Sequence, residues 1–201
     1  MKKLLKYLNR IFDKKYKIYN CYYNEIREIF SKDKFSLYAG SAYPEKFDMS
    51  EAKIYAYLVK ILVTEDSYKN FIAILKRHFS TNFDNIKNKP IVQEGIAFAI
   101  IHEFKGLTIN LITNNIQLLN DIDSAKLDTR PPWIVFPELD PRYLGSLQGD
   151  MDYWFCYIWD PFWNNLSLEE RKSYFSKTKP NRYWANILLE SPLFKIKEKR
   201  N

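Results

Sequence analysis

Two histidines, two cysteines and a handful of closely spaced acids are the residues with which this chain could do chemistry. His102 stands in "HEFKG", which lacks the second histidine that a zinc-protease helix presents one turn later. His78 in "LKRHFS" falls near a helix C-terminus, where an imidazole meets free carbonyl groups; both histidines read as structural. Cys21 and Cys156 are distant from each other and have no neighbouring histidine, so they read as buried thiols of a reducing cytoplasm. No "GxSxG" nucleophile turn and no glycine-rich phosphate loop occurs. The pairs Asp150/Asp152 and Glu169/Glu170 are able to hold a divalent ion or to act as acid and base. Acids also gather at helix N-termini because the helix dipole favours them, and that reading leads here. The expectation is a protein with no catalytic residues, no cofactor and no metal.

What remains is binding. The stretch "GDMDYWFCYIWDPFW", residues 149–163, packs Tyr153, Trp154, Phe155, Tyr157, Trp159, Phe162 and Trp163 around three Asp. Placed on a helix, Met151, Trp154, Phe155 and Ile158 follow the i, i+3, i+4, i+7 rule and form a core stripe. Tyr153, Tyr157 and Asp160 then lie on the opposite side, with Asp152 and Trp159 at the flank. Aromatic stripes usually pack cores, yet Tyr and Trp are also the residues enriched in binding hot spots, and acids around them suit a basic partner. The expected partner-binding residues are Glu138, Asp140, Tyr143, Asp150, Asp152, Tyr153, Tyr157, Trp159 and Asp160, with Trp154 beneath them as support.

Charge is distributed to match. The chain carries +7 overall, but its two ends hold the surplus: residues 1–20 set seven Lys or Arg against Asp13, and residues 171–201 set nine against Glu190 and Glu198. Residues 121–170 have ten Asp or Glu against Lys126, Arg130 and Arg142, and contain four of the five Trp. The basic termini leave open a second function, nucleic-acid binding, although no recognition-helix motif accompanies them.

The elements that must position these residues read as helices. Only 5 Gly among 15 Tyr, 14 Phe and 5 Trp disfavours hairpin-rich architectures. Residues 2–13 form an amphipathic stripe with a Lys-rich polar side, which keeps a peripheral membrane contact open. "YNEIREIFS" reads as the next helix. Asp48 or Ser50 can cap another through Ile54, Tyr57, Leu58, Ile61 and Leu62, and Tyr68, Phe71, Ile72, Leu75 and Phe79 mark one more. Ile91 to Phe104, apolar on all sides, is expected to be a central helix closed by Gly106. "LTINLITNNIQLLNDI" reads as helix, with strand possible from its β-branched residues. "DTRPPWIVFPELDP" is a proline-held connector, and "SLEERKSYF", with Ser167 and Glu170 at capping-box spacing, and "NRYWANILLE" close the chain. The expected fold is therefore mainly α: one multi-helix bundle over 1–201, comprising an N-terminal bundle (1–122), a proline-rich connector (123–148) and aromatic-rich C-terminal helices (149–201).

"QGDMDYWFCYIWDPFWNNLSLEERKSYF", residues 148–175, resembles segments of the immunity proteins of bacterial polymorphic-toxin and contact-dependent competition systems. The likeness rests on Tyr153, Trp154, Trp159, Pro161, Phe162 and Trp163 followed by Leu166, Ser167, Glu169 and Glu170. It implies a small cytoplasmic protein without enzymatic activity that binds one cognate toxin and blocks its active site. The basic overall charge departs from the acidic balance usual when the toxin is a nuclease, which leaves the toxin's class open.

Overall fold

The structure, a computed structural model, describes residues 22–83 and 90–190. The amphipathic stretch at 2–13, Cys21 and the basic residues beyond Glu190 lie outside these. The chain divides between Asp128 and Thr129 into two compact units, each with its own core.

The first unit is built on a sheet, so the mainly α, all-helical expectation is corrected: of the described residues of both units, 51% are helical and 18% lie in one five-stranded antiparallel sheet. Its strands are β1 (Lys46–Asp48), β2 (Tyr57–Val63), β3 (Ile91–Gln93), β4 (Ile96–Glu103) and β5 (Gly106–Thr113), in the order β1-β2-β5-β4-β3. The apolar run at 96–101 is not a central helix but a strand buried at Ile96–Ala99. A short run apolar on every side, rich in Ile and bounded by turns, satisfies a strand covered on both faces as well as a buried helix, and here tertiary pairing decides. The stripe Ile54–Leu62 fails for the same reason: every residue of β2 is buried, on both faces. Ser50–Ala52 is a single 3-10 turn rather than the start of a helix.

Gly106 does not terminate a helix either. It pairs with Glu103 across a two-residue turn made by Phe104 (φ 52°) and Lys105 (φ 54°). Both positions are left-handed, the geometry whose twist matches a hairpin, but neither is the Asn or Gly that adopts it without steric cost. Lys105 is exposed. Lys105→Gly is therefore expected to stabilise the protein by about 1 kcal/mol, read as a rise in the chemical-denaturation midpoint. An unchanged or lowered midpoint would contradict the left-handed assignment.

Helices of the first unit follow the sequence more closely. α1 (Tyr23–Ile29) buries Ile26. α2 (Glu65–His78) begins at Thr64, whose side chain accepts from the Ser67 N–H, and it has Glu65 and Asp66 in its first turn and Lys76, Arg77 and His78 in its last. α3 (Ile116–Ser124) is capped by Asn115. Residues paired across antiparallel strands share a face. Val59, Phe98 and Leu111 therefore share one face, where Phe71 of α2 lies 5.6 Å from Phe98. Lys60, Asn110 and Ala99 share the other, with Thr108 and Glu103 further along it.

The second unit is helical: α4 (Pro132–Val135), a 3-10 turn at Pro141–Ser146, α5 (Gly149–Trp154), α6 (Asp160–Asn165), α7 (Leu168–Thr178) and α8 (Arg182–Glu190). Ser167 and Glu170 form the expected capping box at the start of α7. Stacked rings make the core. Trp154 lies on Trp159 (5.7 Å, 12°), Trp159 on Trp163 (5.3 Å, 14°) and Trp163 on Phe175 (5.1 Å, 19°). Trp133, from the proline-rich stretch, meets Trp159 edge-on at 6.1 Å and donates its indole N–H to the Thr178 carbonyl at 3.1 Å. That stretch thus contributes to this core; Pro132 starts α4 where its missing N–H costs nothing.

Candidate functional site

The aromatic, acidic stretch is held by one nearly continuous helical run that departs from α geometry in its middle. In an α-helix Pro161 would be asked for an N–H it lacks, and its ring would meet the carbonyl of Tyr157. The chain widens instead: residues Phe155–Trp159 form a π-helical turn, closed by the Asp160 N–H donating to the Phe155 carbonyl. The wider turn shifts the phase of everything beyond it. Trp154, Trp159 and Trp163 then stack on one side, which a uniform 3.6-residue period does not allow.

The structure corrects two expected partner contacts. Tyr153 is only 3% exposed and Trp159 fully buried, so both belong to the core rather than to a surface; Trp154, as expected, is buried beneath. Tyr157 is half-buried, its ring 5.1 Å from that of Tyr153. Asp150 and Cys156 are exposed along the run, and Asp152, Tyr157 and Asp160 are half-buried. Cys156 is exposed, which overturns its reading as a buried thiol, and its S–H lies 3.5 Å from Asp152 Oδ1.

Asp160 differs from the other acids. Burial alone raises its pKa from the ordinary carboxylate value to about 6. Among the described residues its carboxylate has no hydrogen bond and no ion pair, although its residual exposure keeps it reachable. Asp140 is the opposite case: Nε of Arg142 donates to both carboxylate oxygens at 2.9 Å, and these hydrogen bonds hold its pKa down to about 2. Asp140 is thus already committed within its own turn. Glu138 is exposed on the segment before that turn. Tyr143 lies in the Pro141–Ser146 turn, with its side chain outside the described atoms. Asp150, Asp152, Tyr157 and Asp160 thus all retain exposure along one helical run, and Glu138 and Asp140 lie on the chain that leads to it.

Sequence reasoning missed two polar clusters of the first unit. Lys60 Nζ lies 3.1 Å from Glu103 Oε1, with side chains 2% and 9% exposed, on the sheet face that also bears Asn110 and Thr108. The signal was a lone Lys inside "YLVKILV". Asp123 on α3 gathers Lys46, the Tyr38 hydroxyl (2.6 Å) and the Ser41 N–H (2.8 Å). Desolvation and the Asp123 charge push the Tyr38 hydroxyl pKa up, while burial pulls Lys46 down against the same carboxylate. No local spacing announces this cluster, because its members come from three separate segments.

His78, in the last turn of α2, lies 3.0 Å from Asp121, and His102 is exposed on β4. Among the described residues no group of three or more His, Cys, Asp or Glu could hold a metal ion, and no helix is long and apolar enough to cross a membrane. Comparison of the chain with protein-family models, with curated proteins and with solved structures finds no match to any of them.

Proposed function

We propose that this chain is a non-enzymatic, immunity-type protein that binds a cognate bacterial toxin and neutralises it by covering the toxin's active site. The outward side of the helical run at 149–165 is the surface that meets a basic patch on the toxin. Asp160 carries this reading. A carboxylate largely removed from water, without a cation of its own, is a poor structural element and a good receptor for an incoming Lys or Arg. Its surroundings support it: from residue 143 to residue 170 the chain contains Asp150, Asp152, Asp160, Glu169 and Glu170 and no Lys or Arg at all, in a protein of net charge +7. Exposed Asp150 and half-buried Asp152 would steer the partner's approach, and half-buried Tyr157, three residues before Asp160, supplies an aromatic contact.

The test follows from proton linkage. A folded-state pKa raised to about 6 means that the folded protein holds the Asp160 proton more tightly than the unfolded chain does. The residue's cost to stability is then absent at low pH, grows as pH rises from the ordinary carboxylate value, and is complete above about 6. Asp160→Asn should therefore raise the melting temperature at pH 7. A partner's cation favours the ionised form, so affinity for a toxin captured on the immobilised protein should be constant above pH 7. It should fall by up to about tenfold per unit below 6. Asp160→Asn should weaken binding at pH 7 and flatten that profile, and Asp150→Lys with Asp152→Lys should chiefly slow association. Parental affinity in Asp160→Asn, or a captured toxin that remains fully active in the complex, would overturn the proposal.

A further inference from the structure

The first unit carries a groove of about 520 Å³ that the proposed toxin contact does not use. Arg27, Lys32 and Lys53 line it together with Asn24, Ser31 and Tyr55, and Glu28 is the one acid among its described lining residues. The three cations come from three separate segments: the last turn of α1, the 3-10 turn Lys32–Lys34, and the residue that ends the turn Ser50–Ala52. The frame that holds these segments together is fixed. The Tyr23 hydroxyl donates to the Ala52 carbonyl at 3.1 Å, the Tyr55 N–H donates to the Phe30 carbonyl at 3.0 Å, and Ile26, Phe30 and Ile54 are fully buried.

Several cations of this unit are already paired, Lys34 with Glu94 at 2.7 Å and Arg77 with Asp121 at 2.9 Å. Among the described residues none of Arg27, Lys32 and Lys53 has an ion-pair partner; Arg27 only lies over the Tyr23 ring, at 5.7 Å. Converging like charges repel, and Lys53 adds a left-handed backbone (φ 57°) that a non-glycine residue adopts at a steric cost. The volume lies within the range of small-molecule sites. Three cations against one carboxylate leave about two positive charges, the complement of a phosphate group, which carries close to two negative charges at neutral pH. Arg27 offers a planar fork for phosphate oxygens, the two lysines act as mobile point charges, and Asn24, Ser31 and Tyr55 offer neutral hydrogen-bonding groups.

We infer that this groove binds a small, soluble phosphate-bearing anion through Arg27, Lys32 and Lys53. The site is independent of the acidic helical run, so it stands or falls separately from the toxin contact. The test is an amide chemical-shift titration of the full chain with inorganic pyrophosphate at 150 mM salt, with sulfate and a single-stranded oligonucleotide as parallel arms. Saturable shifts confined to residues 24–32 and 53–55 are expected. Arg27→Gln with Lys53→Gln should weaken binding at least about tenfold, as loss of charge-assisted hydrogen bonds does, with the melting temperature unchanged. Lys32→Gln, at an exposed position of its turn, should weaken it in the same direction and serves if the double variant unfolds. An absent or non-saturating response, an equal response to sulfate spread over every lysine, parental binding in the variants, or tighter oligonucleotide binding with shifts outside the groove would each overturn the inference.

Discussion

Trp159→Ala is expected to lower the unfolding free energy by about 3–5 kcal/mol, the range for truncating a large ring in a packed core. Trp159 is fully buried and touches Trp133, Trp154, Phe162, Trp163 and Tyr174, so no neighbour can move into the void without breaking another stack. Tyr153→Ala, at 3% exposure, should behave in the same way. Tyr157→Ala, at a half-buried position, should cost about 1 kcal/mol or less and act on partner binding instead. Urea denaturation of the three variants decides the matter. If Trp159→Ala unfolds at the parental midpoint, the phase shift imposed by the π turn is wrong; if Tyr153→Ala does, Tyr153 belongs to the surface and not to the core.

Lys60→Ala should be comparably severe, for an electrostatic reason. Removing the ammonium 3.1 Å from Glu103 takes a paired cation away from a carboxylate of 9% exposure. Breaking one partner out of such a buried pair costs about 3–5 kcal/mol, because the remaining charge keeps its desolvation penalty and loses the Coulomb attraction that offset it. Replacing both groups by apolar residues of similar volume, Lys60→Met with Glu103→Leu, removes that penalty and should restore most of the stability or exceed it. Thermal melts of the single and double variants form a coupling cycle. A double variant no better than the sum of its single changes would show that the two side chains do not act as a pair.

Some of this architecture is written locally. Thr64 before "EDSYKNFIAILKRH", Ser167 three residues ahead of Glu170, and the stripe Phe71–Ile72–Leu75 identify α2 and α7 directly, because caps and a 3.6-residue period are satisfied within one turn of the chain. The dense rings at 149–163 and the absence of any Lys or Arg from 143 to 170 likewise announce an aromatic core beside an acidic surface. The sheet is not written in this way. Ile96–Ile101 and Tyr57–Val63 are apolar on every side, and a run with no polar face has no period from which helix and strand can be told apart. Only pairing with β5, whose β-branched residues allowed either state, settles them as strands. The division of the aromatic residues into core and surface was also beyond local reading. Pro161 opens a π turn and the turn rotates Trp159 and all that follows, so a pattern read at constant period misplaced Trp159; Tyr153, which precedes the turn, is buried by what packs over it, which no period reports. The residues that matter most to the candidate contact were legible as an acidic group; that Asp160 alone among them is desolvated and unpaired depends on how closely the neighbouring chain covers it, which is a property of tertiary packing and not of spacing.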